Sequence, residues 1–351
     1  MNEVFIVTYC TCKSNGSILQ AYALSTALSQ MGYDNSICIE NTQNINKKKL
    51  SYRVLLKKIA RISVKKKILL AEKKKEYFIS KNIPIKHLKD YQAFEKMAEV
   101  HPNAVFLAGS DQIWNPKKLN PIFFLSFAHN RKCISYAASM GDTEVPNEKK
   151  EQIGKWLHSF RRISVREKAC VGSLQELCER ELTVNIDPTF LVDVEFWRNI
   201  EHPYPIRQPY ILLYMLYWDK ECKKKIMSLK RRTGLPVYAI CPDVSRVYAD
   251  HYIFDVGIEE FIWLIDHAEY VITSSFHGVA LSIQFQKRFA TVINKALPSR
   301  FENLSETLSI PIVDIDDLDK TTTSWNYDVV SRKILSERKR SLEYLKEAID
   351  G

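Results

Sequence analysis

Short apolar runs rich in β-branched residues alternate along this chain with segments whose apolar positions recur at helical spacing. Residues 4–8 read as a buried strand, followed by a polar loop over 9–16 and a helix over 17–31 that Gly32 ends. Residues 36–39 read as a second strand. Beyond a long lysine-rich stretch, 104–107, 133–137, 163–165 and 184–186 read as strands, with helices over 148–159 and 167–178. Pro203, Pro205 and Pro209 then interrupt the pattern and mark a linker. The pattern restarts with strands over 210–216, 236–240, 270–273 and 289–293 and helices over 220–233, 258–267 and 279–286. A charged amphipathic helix is expected over 331–349.

Strands alternating with helices predict parallel sheets covered on both faces. The 351 residues divide into two such halves. The first domain is expected over 1–200, with a basic helical insertion at about 45–95, and the second over 201–351 with the terminal helix. The fold class is α/β: two Rossmann-like domains facing a cleft, an arrangement like that of GT-B glycosyltransferases. Ligands of open α/β sheets sit beyond the carboxyl ends of the strands, so the loops after each strand should carry the chemistry.

Charge alters the picture in one place. The chain carries a net +10, yet residues 47–75 alone hold eleven lysines and two arginines against the single acid Glu72. The rest of the chain is close to neutral, which argues against nucleic-acid binding as a property of the whole surface. Within the basic stretch, Tyr52, Leu55, Leu56, Ile59 and Ile62 recur at helical spacing among Arg53, Lys57, Lys58 and Arg61. Such a helix either lies on an anionic membrane surface or docks on its own domain with a solvated basic face. Eight cysteines show neither zinc-ribbon nor thioredoxin spacing, as in a cytoplasmic protein with reduced thiols. No signal peptide, transmembrane helix or bound metal is expected.

Three loops and one arginine are candidates for chemistry. Asn15-Gly16-Ser17 opens the first long helix; Gly16 lets the backbone turn, Ser17 or Asn15 can cap, and the exposed N–H groups suit an anion or a sugar hydroxyl. Gly109-Ser110-Asp111-Gln112-Ile113-Trp114 follows a buried strand and offers planar polar groups beside an indole, as a sugar requires, unless Asp111 caps backbone and Trp114 packs inward. Thr273-Ser274-Ser275-Phe276-His277-Gly278 joins a strand to a helix, with hydroxyls at a helix start and an imidazole able to exchange protons near neutral pH. Arg166 follows another strand; it either grips a carboxylate or phosphate or pairs with Glu167 or Asp187.

These segments, with Leu19 to Leu24, Ile134 to Ser139, Ser164 to Glu167 and Asp187-Pro188-Thr189, resemble the polysaccharide pyruvyl transferase family in order and spacing. The resemblance implies a GT-B-like enzyme of surface-polysaccharide assembly that moves pyruvate from phosphoenolpyruvate onto a sugar as a ketal, with no other cofactor. It implies His277, Arg166 and Asp111 as catalytic residues. Ser274, Ser275, Gly278 and Arg300 would bind the donor on the second domain. Asn15, Gly16, Ser17, Ser110, Gln112 and Trp114 would bind the acceptor on the first. Relatives often carry a basic residue where Ser275 stands, so the donor phosphate would draw a cation from Arg300 or Arg288. A lipid-linked oligosaccharide acceptor would give residues 47–75 a purpose at the inner membrane face. The rival readings are a GT-B glycosyltransferase using a sugar nucleotide and a non-catalytic sugar-binding member of the fold.

Overall fold

A computed structural model describes residues 3–41, 58–141, 144–216, 220–240, 248–291, 299–318 and 325–351. The first sheet is built from β1 (Glu3–Val7), β2 (Asp34–Glu40), β3 (Ile85–Leu88), β4 (Val105–Ala108), β5 (Lys132–Ser135), β6 (Phe160–Val165) and β7 (Leu182–Val184). Their order is β3-β2-β1-β4-β5-β6-β7, and every pairing is parallel. β1 and β4 are central, which is why Val4 to Val7 and Val105 to Ala108 are continuous buried apolar runs. The strand order reverses between them. The loops that leave β1 and β4 therefore diverge, and they open a crevice where the expected loops over 9–16 and 109–114 lie.

The second sheet contains β8 (Ile211–Tyr214), β9 (Val237–Ile240), β10 (His251–Ile253), β11 (Tyr270–Thr273) and β12 (Arg288–Thr291), again all parallel, in the order β10-β9-β8-β11-β12. Its own reversal falls between β8 and β11. Eleven helices are described: α1 (Asn15–Gln30), α2 (Lys58–Asn82), α3 (Tyr91–Val100), α4 (Asn147–Leu157), α5 (Val171–Gln175), α6 (Val194–Arg198), α7 (Lys220–Thr233), α8 (Ile258–Asp266), α9 (Phe276–Gln284), α10 (Ser299–Leu308) and α11 (Tyr327–Asp350).

Three departures from the sequence reading have physical causes. The helix expected over 167–178 is only a 3₁₀ turn (Lys168–Cys170) and the short α5. The Gln175 amide donates to the carbonyls of Cys178 and Arg180, and that turns the chain back toward β7. The edge strands β3 and β10 are partly exposed and so lack a continuous apolar run. The basic stretch is not a free-standing insertion: α2 is the crossover between β2 and β3. The first part of the apolar stripe read there, Tyr52, Leu55 and Leu56, lies outside the described residues.

The two sheets share one apolar core. α1 is buried on nearly every side because it packs on its own sheet, on α8 and α9 of the second domain, and on the 3₁₀ turn Pro188–Phe190. Tyr22 of α1 meets Phe78 of α2 edge-on, with ring centroids 5.2 Å apart. Lys74 of α2 crosses to the second domain, where it donates to the Asp255 carbonyl at 3.0 Å and pairs with Glu260. The terminal helix, assigned from sequence to the second domain, belongs to both. It starts with Tyr327 donating to the Lys287 carbonyl at 2.7 Å, and it ends on the first sheet with Tyr344 donating to the Ser135 carbonyl at 3.0 Å. Between these, Arg338 donates to the carbonyls of Phe190 and Val192.

Candidate active site

The carboxyl ends of five parallel strands converge at the reversal of the first sheet. β4 delivers Ser110 and Asp111, β5 Ser139, β6 Arg166 and Glu167, β7 Asp187, and β1 the start of α1. From the second domain, β11 delivers His277 in the first turn of α9.

Arg166 is 3% exposed and committed on three nitrogens. Its Nε donates to Glu167 Oε1 at 3.0 Å, Nη1 to Asp187 Oδ2 at 2.7 Å and Nη2 to Ser139 Oγ at 3.1 Å. Its guanidinium lies 4.2 Å from the Phe276 ring centroid. Burial pulls its pKa down, but Glu167 and Asp187 outweigh burial and hold it above the ordinary value. Of the two roles read for this arginine, the structure shows the internal pairing, and with both carboxylates.

Asp187 is the hub of the cluster. Its Oδ1 accepts from the Thr189 backbone N–H at 3.0 Å and hydroxyl at 2.8 Å, and its Oδ2 accepts from Ser110 Oγ at 3.3 Å. His277 Nε2 stands 3.7 Å from Oδ2. Burial raises the Asp187 pKa, but His277 and Arg166 overcome it and hold the carboxyl below its usual range. Two carboxylates against one guanidinium leave this buried cluster one negative charge in excess. Sequence reading gave Asp187 as a partner of Arg166 and as part of the Asp187-Pro188-Thr189 segment, and assigned it no role in the site.

Gly16 explains how the imidazole is held. A Cβ at this position would stand 2.2 Å from His277 Nδ1 and 2.8 Å from Cγ, so only glycine admits the ring. The first turn of α1 and the first turn of α9 thus meet across the domain boundary. Gly278 has a similar constraint, since a Cβ there would lie 2.5 Å from Thr273 Oγ1.

Several expected ligand contacts are used internally. Ser14, not Ser17 or Asn15, caps α1, accepting from the Ser17 N–H at 3.3 Å, while the Ser17 hydroxyl donates to the Ser14 carbonyl at 3.0 Å. Ser274 Oγ accepts from the Leu216 N–H at 2.8 Å, and Ser275 Oγ caps α9 through Gly278 N–H at 3.4 Å. Trp114 is fully buried, stacked on Phe124, and its indole N–H donates to the Phe123 carbonyl at 3.0 Å; it is core, not a sugar platform. Gln112 Oε1 accepts from Asn115 at 3.3 Å. Asp111 takes a left-handed conformation (φ 71°) and accepts from the Gln112 N–H, which keeps it in the half-exposed wall beside Arg166. Arg288 is excluded as the donor's cation, because it opens β12 at the sheet end away from the cleft and pairs with Glu269. Arg300 lies in the first turn of α10, and its side chain falls outside the described residues. Asn303 of the same helix donates to the Arg166 carbonyl at 3.0 Å.

One group of three metal-capable side chains occurs among the described residues. Glu201, Asp266 and His267 bring ligand atoms within 4.8 Å of one another, at the opposite end of the second sheet, where Arg198 already pairs with Asp266. No helix among the described residues is long and apolar enough to cross a membrane.

The structure is similar to UDP-GlcNAc 2-epimerase from Neisseria meningitidis bound to UDP-GlcNAc, with TM-score 0.57, 10% identity, and 99% of this chain and 100% of that chain covered. It is also similar to UDP-GlcNAc 2-epimerase from Methanocaldococcus jannaschii, with TM-score 0.56, 12% identity, and 95% and 92% coverage. At these identities the likeness concerns the fold, two Rossmann-like domains in a GT-B-like arrangement. No curated protein matches the sequence. A family model described as polysaccharide pyruvyl transferase matches residues 16–295, a span running from Gly16 through the Asp187 hub to His277 and beyond. This chain belongs to the polysaccharide pyruvyl transferase family.

Proposed function

We propose that the protein transfers pyruvate from phosphoenolpyruvate to a diol of a sugar, forming a cyclic ketal, with His277 as the general acid and base. The observation that supports this reading is the placement of His277. It sits where the two domains meet, clamped on Gly16, with Nε2 3.7 Å from the buried Asp187 carboxylate. The imidazolium gives its proton to the methylene carbon of the donor, and C2 becomes an oxocarbenium-like centre. One sugar hydroxyl adds to C2. The C2–O bond to phosphate then breaks, with the electron pair leaving on phosphate, and the second hydroxyl closes the ketal. Two hydroxyl protons are released; one restores the imidazolium and the other leaves on phosphate. Asp187 stabilises the charge on His277, and the Arg166 pairings hold Asp187 in place. Asp111, half-exposed beside Arg166, is placed to orient a hydroxyl.

In this reading the described part of α2 presents Leu69 and Leu70 (47% and 45% exposed) and Tyr77 among Lys65, Lys66, Lys67 and Lys73. That mixture suits an anionic membrane surface and an acceptor held there.

The test is thermal stability with phosphoenolpyruvate, sugar nucleotides and plain phosphate, followed by turnover of His277→Ala. A ligand at 100 times its Kd adds about 2.7 kcal/mol. The expected result is a shift with phosphoenolpyruvate beyond that of phosphate, and turnover lowered by about 10²–10⁴ in the variant. A shift with sugar nucleotides alone would replace this reading with a glycosyltransferase. Near wild-type turnover in the variant would make His277 structural.

A further inference from the structure

α9 is buried along its whole length, and three of its side chains are polar. His277 faces Asp187, and Ser282 donates to the Gly278 carbonyl of its own helix at 2.7 Å. The third, Gln284, is the last residue of the helix and is 7% exposed. Its Nε2 crosses to the first domain and donates to the Thr189 carbonyl at 3.0 Å, while its Oε1 is buried without a hydrogen-bond partner. Burying an amide with one end unsatisfied is costly, and an apolar side chain of the same length would avoid that cost. The bond to Thr189 therefore has a use other than stability. Thr189 is also the residue that holds Asp187: its N–H and hydroxyl donate to Asp187 Oδ1 at 3.0 and 2.8 Å. His277 and Gln284 are two helical turns apart, so both side chains project from one face of α9, about 10 Å from each other along the axis. That face meets the 187–189 turn twice, with His277 3.7 Å from Asp187 Oδ2 and Gln284 on the Thr189 carbonyl.

We propose that Gln284 is a positioning residue for His277. By tying α9 to the residue that holds Asp187, it fixes the roll of the helix, and with it the place of the imidazole against the carboxylate. A side-chain tip stands about 6 Å from a helix axis, so a roll of about 10° carries it about 1 Å. A shift of that size at a reacting group can lower the rate by about 10²-fold. Gly16 stops the ring from moving toward α1, and Gln284 stops the helix from rolling the ring away from Asp187. The Trp197 indole N–H also donates to the Thr189 carbonyl, at 3.3 Å, so loss of the amide does not orphan that oxygen. The effect on turnover rests on the pyruvyl-transfer reading; the restraint on the imidazole does not.

The test is Gln284→Met, which keeps the length of the side chain and removes the donor, with Gln284→Leu as a second apolar replacement and Ser282→Ala as a control that leaves the contacts between domains intact. Melting temperatures should stay within a few degrees of wild type. The first readout is carbethoxylation of His277 by diethyl pyrocarbonate in the full chain without substrate, followed by peptide mass spectrometry. Both Gln284 variants should label several-fold faster than wild type, and Ser282→Ala at the wild-type rate. The second is phosphate release from phosphoenolpyruvate with a panel of methyl hexopyranosides. In both Gln284 variants kcat should fall about tenfold while KM for phosphoenolpyruvate stays within about twofold, because the donor contacts are untouched. In a His277→Ala background, Gln284→Met should lower the residual rate no further. Unchanged labelling of His277, or equally faster labelling in Ser282→Ala, would overturn the restraint. Faster labelling with wild-type kcat, or a tenfold loss that persists without His277, would overturn its role in the reaction. If wild type releases no phosphate with any hexoside, the pyruvyl-transfer reading fails for these acceptors, and the labelling rates still decide the restraint.

Discussion

Replacing Gly16 by alanine tests the clamp on His277 without touching a side chain that could react. The added methyl carbon would stand 2.2 Å from Nδ1, and ordinary contact begins at 3.4 Å, so the ring must retreat by about 1.2 Å. It has little freedom to do so, being 7% exposed, with Asp187 3.7 Å away and the Phe276 ring edge-on at 5.4 Å. Overpacking of this kind costs about 1–3 kcal/mol, and the better helix propensity of alanine offsets up to about 1 kcal/mol. The stability change should therefore be small. The chemistry is more sensitive, because a displacement of about 1 Å at a reacting group lowers the rate by about 10²-fold. The assay is phosphate release from phosphoenolpyruvate in the presence of a diol-bearing acceptor, read beside a thermal melt. We expect a fall of about 10² in turnover with a melting temperature within a few degrees of wild type. Wild-type turnover in Gly16→Ala would refute the argument, since it would show that the position of the imidazole does not limit the reaction.

Other expected outcomes follow from the same contacts. Asp187→Asn breaks a buried pair and should cost about 3–5 kcal/mol in thermal melts at pH 7. Because the folded carboxyl titrates below its unfolded value of about 3.9, the wild-type advantage should be full above that pH and narrow only as pH falls below it. Closure of the gap between pH 7 and 5 would contradict the assigned shift. Trp114→Phe strands the Phe123 carbonyl and should cost about 1–3 kcal/mol in stability while leaving acceptor KM unchanged. A raised KM at an unchanged melting temperature would return the indole to the sugar site. The double variant Leu69→Glu/Leu70→Glu should lose binding to vesicles rich in anionic lipid, and wild-type binding should weaken with salt. Equal binding to neutral vesicles would dismiss the membrane surface.

The elements legible in the sequence are those whose burial is a local pattern. The helix read at 220–233 is α7 (Lys220–Thr233), and the strand read at 270–273 is β11 (Tyr270–Thr273). The Pro-rich break near 203–209 separates the last strand of one sheet from the first of the next. The candidate loops were legible for a related reason, since a buried parallel strand must end in a loop at the sheet's carboxyl edge. Edge strands β3 and β10 escaped because their exposed side carries no apolar run.

What the sequence determined alone is therefore the α/β class, the two halves, and the short list of segments that carry the chemistry. What each side chain does within those segments was decided by tertiary structure. Ser14 caps α1 because the loop places its hydroxyl toward the Ser17 N–H, Trp114 turns inward to the Phe123 carbonyl, and Arg166 is taken up by Glu167, Asp187 and Ser139. The closeness of His277 to Gly16 exists only once the domains have met. Periodicity records which face of an element leaves water, and that is set by neighbours a few residues away. The partner that satisfies a buried polar group is set by whichever distant strand end arrives beside it.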